Sequence, residues 1–218
     1  MTVTELMRRI ARAQATPTLY LLGAGGFYGN EAGPHDMPGK PVVPAHELRT
    51  MKEKDRKKYD VYVASAQAAG IDLAALPQSM PACDCSGFVL WALDMARAPA
   101  PNELGTWIYT DSIHADALGA GTLFERDDNG SKPLKTRIGA MLVYPKGDGH
   151  EVGHIGVVTG VDGADGTGLP TRVVHCSSEN FLLPPAAGAQ RTAILETAPD
   201  VFLEAGRTIA VWRKGMER

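Results

Sequence analysis

The sequence predicts an α+β fold in which helices pack on an antiparallel sheet. Segments with helical periodicity or helix-start signals lie in the first half of the chain, and short segments rich in Val and Ile follow in the second half. Helices followed by a run of strands are typical of α+β proteins, whereas regular alternation would indicate a parallel sheet. We expect residues 1–218 to form a single domain.

The composition excludes several classes of protein. Apolar residues make up 44% and charged residues 22%, which is ordinary for a soluble globular protein and argues against general disorder. A net charge of −3 gives no global basic field, so we expect no nucleic-acid partner. No apolar run approaches the ~20 residues of a membrane-spanning helix. Three cysteines are too few for a disulfide scaffold, so we expect them to serve chemistry, metal binding or packing.

The first predicted element is an amphipathic helix over residues 2–15. Thr2 and Glu5 have the spacing of a capping box. Apolar residues recur at helical spacing on one face, namely Val3, Leu6, Met7 and Ile10. The run 13–15 resembles a signal cleavage site, but no hydrophobic region precedes it, so we expect no Sec signal and synthesis in the cytoplasm.

The next part of the chain alternates between glycine-rich and helical segments. A short apolar run starting at Tyr20 enters a glycine turn at residues 23–26. Residues 29–44 are rich in Pro and Gly and predict a loop. Residues 45–70 predict one helix, whose charge run at 52–58 we interpret as a solvated face.

A second strong helix begins near Cys85. Asp84 is a good N-cap residue, and the unpaired N–H groups and positive dipole at a helix start favour a thiolate with a lowered pKa. We expect Gly87 to leave room for a substrate backbone beside the sulfur. The alternative is that Cys85 is a buried cysteine that packs as a small hydrophobic residue.

Four strands are predicted after residue 139, at residues 141–144, 155–161, 171–176 and 208–212. His154 precedes the second of these strands, and His175 lies on the third, 175 − 154 = 21 residues later. Adjacent antiparallel strands would bring both rings to one face, where one imidazole serves Cys85 as a base and the other orients it. We expect the other four histidines to be structural or surface residues: His35, His46, His114 and His150.

Three motifs in this order resemble the NlpC/P60 family of papain-like cysteine peptidases. They are Asp84-Cys85-Ser86-Gly87-Phe88, Gly153-His154-Ile155-Gly156-Val157-Val158 and Val174-His175-Cys176-Ser177. The strand at 137–144 is also similar to a strand of that family, with Ala140 where Asp is usual, and the turn after Tyr20 is similar to an upstream Tyr and glycine element. The resemblance implies a papain-like core of helices on an antiparallel sheet.

The resemblance implies roles for individual residues. Cys85 would be the nucleophile, His154 the general base and acid, and His175 the polar third residue. Tyr20 and the Cys85 backbone N–H would bind the developing oxyanion. We further assign Asp84, Ser86, Trp107 and Asp111 to the oxyanion site or the substrate groove, although Trp107 and Asp111 can equally be an interior residue and a helix cap.

The chain departs from compact members of that family in two places. Here 85 − 20 = 65 residues separate Tyr20 from Cys85, so residues 29–80 predict a loop-plus-helix insertion. The loop between the two histidine strands is also long. We expect both departures to shape the substrate groove.

The resemblance implies hydrolysis of an amide bond in peptidoglycan stem peptides through a thioester on Cys85, without a cofactor. The bond would be the one after D-Glu or the first amide to muramic acid. Lysis of the cell or a dedicated secretion system would deliver the enzyme to the wall. Alternatively, its substrate would be recycled wall fragments inside the cell. An inhibitor protein stays open as a partner.

Two other functions stay open at the level of sequence. The first is acyl transfer from the same Cys-His site to an amine or lipid acceptor, although permuted acyltransferase relatives place His before Cys. The second is a non-enzymatic zinc site of Cys83, Cys85, His175 and Cys176, despite the unusual Cys-x-Cys spacing. A catalytic site requires no metal and predicts one hyper-reactive thiol at Cys85.

Overall fold

The structure is a computed structural model that describes residues 1–28, 36–98, 107–119, 121–128, 130 and 132–217. Its helices are α1 (Val3–Gln14), α2 (Pro44–Lys54), α3 (Arg56–Ala68), α4 (Cys85–Ala92), α5 (Thr110–Leu118), α6 (Ser178–Leu182) and α7 (Asp200–Leu203). Its strands are β1 (Leu19–Tyr20), β2 (Phe27–Tyr28), β3 (Lys40–Val42), β4 (Met80–Cys83), β5 (Ala96–Ala98), β6 (Phe124–Arg126), β7 (Thr136–Arg137), β8 (Met141–Tyr144), β9 (His154–Val161), β10 (Thr167–Gly168), β11 (Pro170–Cys176), β12 (Ile194–Thr197) and β13 (Ile209–Arg213). In this part of the chain, no helix is both long and apolar enough to cross a membrane.

Six strands form the main sheet, in the order β12-β11-β9-β8-β13-β6. Every neighbouring pair in it is antiparallel. Strands β8, β9, β11 and β13 coincide with the four predicted strands to within one residue at each end. The predicted α+β class, with helices on an antiparallel sheet, is therefore confirmed.

Helix α4 is the centre of the core. All eight of its residues are buried, because it packs against β9 and β11 on one side and α1 on another. Helix α1 contributes Leu6, Ile10 and Ala13 to this core, and Thr2 caps it by accepting the Glu5 N–H, as predicted. Each large apolar side chain buried here contributes roughly 1.5–3 kcal/mol. The first residue of α4, Cys85, thus lies in the packed core of the molecule.

The predicted single helix at 45–70 is wrong, because Asp55 interrupts it. Asp55 has φ −148° and ψ 85°, which is not helical, and its side chain accepts the Lys58 N–H at 3.0 Å to cap α3. A carboxylate that can cap a new helix competes with continuation of the old one. Residues 52–58 are all exposed, as expected for a solvated charge run.

A small three-stranded sheet, β1-β4-β3, brings the Tyr20 segment to the start of α4. Strand β1 runs parallel to β4, with Tyr20 opposite Cys83, and β3 pairs antiparallel with β4. The chain therefore leaves this sheet after β3, forms the hairpin of α2 and α3, and returns at β4. This pairing brings Tyr20 close to Cys85 despite the 65 residues between them.

Candidate active site

Cys85 is the first residue of α4, and Asp84 is its N-cap, as predicted. The Asp84 carboxylate accepts the Gly87 N–H at 2.7 Å. The Cys85 side chain is buried, and the backbone N–H groups of Ser86 and Ile155 lie close enough to its sulfur to act against the rise in its pKa that burial causes. Ile155 directly follows His154 in β9. The sulfur therefore lies at the contact between the helix start and the strand that carries the predicted base.

A buried polar network fixes the loop before α4. The second oxygen of Asp84 accepts from Arg97 at 2.7 Å and from the Gly23 N–H at 2.8 Å. Ser86 donates to Asp84 and accepts from Arg97 at 2.8 Å. Because Asp84, Ser86 and Arg97 are all at most 3% exposed, this geometry gives Asp84 and Ser86 a positioning role. Their direct contact with substrate stays a prediction.

Gly87 serves helix packing, which corrects the role expected from the sequence. A Cβ at Gly87 would lie 2.4 Å from the Ala24 carbonyl oxygen and 2.8 Å from the Arg97 guanidinium. The glycine turn after Tyr20 therefore packs directly on the first turn of α4. Only glycine permits this close approach.

The two histidines meet across β9 and β11. His175 lies opposite Gly156, two residues along the strand from His154, so both rings lie on the same face of the sheet. His154 Nε2 and His175 Nδ1 are 2.8 Å apart. A Cβ at Gly156 would come within 2.9 Å of the His175 Cβ, so the glycine makes room for this contact. The predicted pairing of the two imidazoles is present in the structure.

Phe202 of α7 holds both rings in place. It stacks on His154 with ring centroids 5.2 Å apart and planes 18° apart. It also meets His175 edge-on, at 5.7 Å and 85°. The sequence gives no local signal for this contact, since Phe202 lies in a four-residue helix far along the chain.

Burial keeps the three central groups neutral. Loss of hydration, together with the Asp84 carboxylate, raises the pKa of Cys85 to about 12, although the N–H groups of Ile155 and Ser86 and the Arg97 guanidinium oppose the shift. Burial also lowers the pKa of His154 to about 3 and that of His175 to about 4. The expected low-pKa thiolate is therefore wrong for the free protein, because desolvation outweighs the helix terminus.

Two tyrosines lie near the sulfur. Burial, followed by the charges of Cys85 and Asp84, raises the pKa of Tyr20, so its hydroxyl stays protonated and able to donate. Burial and a charge on Cys85 likewise raise the pKa of Tyr144, which pairs with His154 across β8 and β9. The resemblance implies that Tyr20 is an oxyanion donor, and this role stays a prediction, whereas the sequence predicts Tyr144 only as part of a strand.

An open cleft of about 640 Å³ lies beside His154 and His175. Tyr20 and Tyr144 line it together with three exposed carboxylates, those of Glu151, Glu179 and Asp200. Its described lining contains no Lys or Arg.

His150 also lines the cleft, with its ring centroid 4.7 Å from that of Tyr144. This position corrects the expectation that His150 is a structural or surface residue outside the site.

Trp107 and Asp111 are not among the residues that line this cleft. Trp107 is 37% exposed, and the Arg97 guanidinium lies 5.1 Å from its ring centroid. Asp111 lies in the first turn of α5 and accepts the Lys146 N–H at 2.8 Å. Their role in substrate binding stays a prediction.

The remaining histidines are His35, His46 and His114. His46 is exposed, and a ring nitrogen of His114 lies within hydrogen-bond distance of the Arg207 carbonyl oxygen. His35 lies outside the described residues.

The other two cysteines contact each other. Cys83 and Cys176 are fully buried, with their sulfur atoms 3.5 Å apart. Both ring nitrogens of His175 are occupied, by His154 and by the Thr197 hydroxyl. Among the described residues, no group of three or more His, Cys, Asp or Glu side chains is placed to hold a metal ion. The zinc hypothesis therefore has no donor set in this part of the chain.

Comparison with protein families identifies a CHAP domain at residues 76–173, somewhat less than half of the chain. CHAP domains belong to the NlpC/P60-like superfamily of cysteine peptidases and amidases that hydrolyse peptidoglycan, so the resemblance seen in the sequence is confirmed, as is the papain-like fold class. The domain contains Cys85 and His154 and ends two residues before His175. Searches of the curated proteins and of the solved structures each found no match. The CHAP domain indicates a peptidoglycan hydrolase of the cysteine peptidase or amidase type.

Proposed function

We propose that this chain hydrolyses an amide bond in peptidoglycan stem peptides through a thioester on Cys85. His154 would be the general base and acid, and His175 would orient it. One observation carries the proposal. The backbone N–H of Ile155, the residue after His154, acts on the Cys85 thiol by opposing the rise in its pKa, and the His154 ring is hydrogen-bonded to His175 at 2.8 Å. These contacts support the assignment of Cys85 as nucleophile, His154 as base and His175 as orienting group.

The first half of the reaction forms the thioester. Because Cys85 and His154 are both neutral at pH 7, the thiol proton passes to His154 as the sulfur attacks the carbonyl carbon. The Cys85 N–H and the Tyr20 hydroxyl stabilise the negative charge that develops on the carbonyl oxygen. The carbon–nitrogen bond then breaks, and His154 returns the proton to the departing amine.

The second half of the reaction releases the acid. His154 takes a proton from water, which attacks the thioester carbon. The carbon–sulfur bond breaks, and the proton returns to the sulfur. His154 thus receives and returns one proton in each half, which requires that its ring hold one orientation throughout. The hydrogen bond to His175 and the stack on Phe202 supply that constraint.

The cleft suits a stem peptide. Its open volume of about 640 Å³ accommodates several residues of an extended peptide. Three carboxylates and no basic side chain among the described lining favour neutral or amine-bearing parts of that peptide over anionic ones. We therefore expect the cleft to bind an amine-bearing part of the stem peptide.

Digestion of purified muropeptides, with the products identified by mass spectrometry, tests this function. We expect two fragments that together contain one added water, and their termini identify the amide that is cut. Hydroxylamine added to the reaction should divert part of the acyl product to a hydroxamate, because it competes with water for the thioester. Intact muropeptides after incubation with folded protein would refute the proposal. Products in which the acyl fragment is linked to the amine of a second muropeptide would instead indicate an acyltransferase.

A further inference from the structure

A chain of hydrogen bonds continues beyond His175. His175 Nε2 lies 2.9 Å from the Thr197 hydroxyl oxygen, and that hydroxyl donates to the Ala198 carbonyl oxygen at 2.9 Å. Thr197 is the last residue of β12, the strand that pairs with β11 at the edge of the main sheet. Leu195 is opposite His175, so Thr197, two residues further, lies on the same face.

One arrangement of protons satisfies all three hydrogen bonds that link His154, His175, Thr197 and Ala198. A hydroxyl has one hydrogen, and the Thr197 hydroxyl gives it to a carbonyl oxygen, which can only accept. Thr197 must therefore accept a hydrogen bond from His175 Nε2–H. A neutral imidazole has a single N–H, so His175 Nδ1 is an acceptor and His154 Nε2 carries the hydrogen between the two rings. The His154 nitrogen left without a hydrogen is Nδ1.

We propose that Thr197 is a positioning residue that acts through His175 to hold His154 in the tautomer whose Nδ1 is free to accept the Cys85 proton. This inference rests on the proposed function, because it assigns that nitrogen the role of base. Burial supports the neutral state of both rings that the proton count requires, since it lowers the pKa of His154 to about 3 and that of His175 to about 4. The Ala198 carbonyl fixes the direction of these hydrogen bonds, because a backbone carbonyl oxygen can only accept.

Two substitutions at this position separate the hydroxyl from the shape of the side chain. Thr197→Val keeps the branched shape but removes the hydroxyl, so neither tautomer of His175 is selected. Thr197→Ser keeps the hydroxyl and should restore the wild-type behaviour. Thr159→Val is the matched control, because its hydroxyl donates to the exposed Glu196 at 2.7 Å, outside the histidine chain.

The first readout is the tautomer itself, measured by nitrogen NMR of the imidazole rings at pH 7. In the wild type we expect a hydrogen on Nε2 of both histidines. In Thr197→Val the His154 signals should shift towards a mixture of tautomers, and in Thr197→Ser and Thr159→Val they should not. This readout needs no substrate, so it is independent of whether the proposed function is correct. A hydrogen on Nδ1 of His154 in the wild type would overturn the inference.

The second readout is kcat on muropeptides, with KM measured separately. The loss of one orienting hydrogen bond should lower kcat about tenfold in Thr197→Val. Thr197 also lines the cleft, but valine keeps the shape of the side chain there, so KM should change less than kcat. Thr197→Ser should recover most of the loss. Wild-type kcat in Thr197→Val, with wild-type tautomers, would overturn the inference. If the wild type cleaves no muropeptide, the proposed function fails, and the NMR result still decides the tautomer.

Discussion

Two arginine–aspartate pairs of nearly equal length lie in contrasting parts of this molecule. Arg97 and Asp84 are 2.7 Å apart beneath the start of α4, with side chains 2% and 4% exposed. Arg56 and Asp60 are 2.8 Å apart on α3, with side chains 66% and 56% exposed. Water screens the attraction between Arg56 and Asp60. Arg97 and Asp84 are shielded from water, so only protein groups stabilise their charges. The comparison separates a buried region that fixes the site from a surface hairpin that does not.

Loss of Arg97 should have the largest effect on stability. Arg97→Met leaves the Asp84 carboxylate buried without its cation, which should lower the free energy of unfolding by about 3–5 kcal/mol. Urea unfolding measures this change. The double variant Arg97→Met/Asp84→Asn should recover part of the loss, since it also removes the unpaired charge. A loss below about 1 kcal/mol in the single variant would show that this pair behaves like a surface pair.

A fall in pH should have the second-largest effect on the free energy of unfolding. The pKa values of His154 and His175 are lowered in the folded state, to about 3 and about 4, from an ordinary value of 6.5. Below pH 6.5 the unfolded chain therefore binds protons that the folded chain does not bind, and stability falls as the pH falls. Each histidine contributes a slope of up to about 1.4 kcal/mol per pH unit.

Urea unfolding between pH 7 and pH 4.5 measures that slope. The double variant His154→Gln/His175→Gln is the control, because it keeps all other titrating groups and should show a shallower slope. Equal slopes in the wild type and the double variant would contradict the burial of these two rings as neutral groups.

The Cys85 thiol should react slowly in the free protein, which reverses the hyper-reactive thiol that the sequence predicts for a catalytic site. With a pKa raised to about 12 by burial, only a minute fraction is thiolate at neutral pH. Alkylation by iodoacetamide should therefore be much slower than for free cysteine, and its rate should keep rising above pH 9. Mass spectrometry of the Cys85 peptide, with urea-unfolded protein as the reference, measures the rate. A fast rate that is constant from pH 6 to pH 8 would indicate a preformed thiolate.

We expect the smallest change in stability from a substitution on the hairpin of α2 and α3. Arg56→Met removes an exposed pair between residues four apart on a helix, which should change the free energy of unfolding by no more than about 0.5 kcal/mol. Urea unfolding and muropeptide cleavage should both be close to those of the wild type. A change as large as that of Arg97→Met would remove the distinction between the two regions.

Local patterns predicted the parts of the site that short segments encode. The Asp84 cap and the start of α4 at Cys85 follow from residues next to each other in sequence. The contact between His154 and His175 follows from two strands joined by one loop. The strands of the main sheet were predictable because their Val and Ile runs are bounded by Gly and Asp.

Other parts of the site depend on contacts between distant segments. Arg97 lies in a three-residue strand, and Phe202 in a four-residue helix, so neither has a periodic signal. Thr197 lies near His175 only because β11 pairs with β12, and this pairing cannot be inferred from the local sequence. The pKa of Cys85 was predicted with the wrong sign because the sequence shows the helix start but not the extent of burial around the sulfur.

Cleavage of muropeptides by Cys85→Ala, beside the wild type and the matched variant Cys176→Ala, tests most directly that the Cys85 sulfur performs the reaction. Cys176 is also a buried free thiol, but its sulfur contacts that of Cys83 at 3.5 Å, and it has no part in the proposed reaction. We expect cleavage by the wild type and by Cys176→Ala, and none by Cys85→Ala, whose thermal unfolding should stay close to that of the wild type. Cleavage by Cys85→Ala at the wild-type rate would contradict a catalytic role for this sulfur.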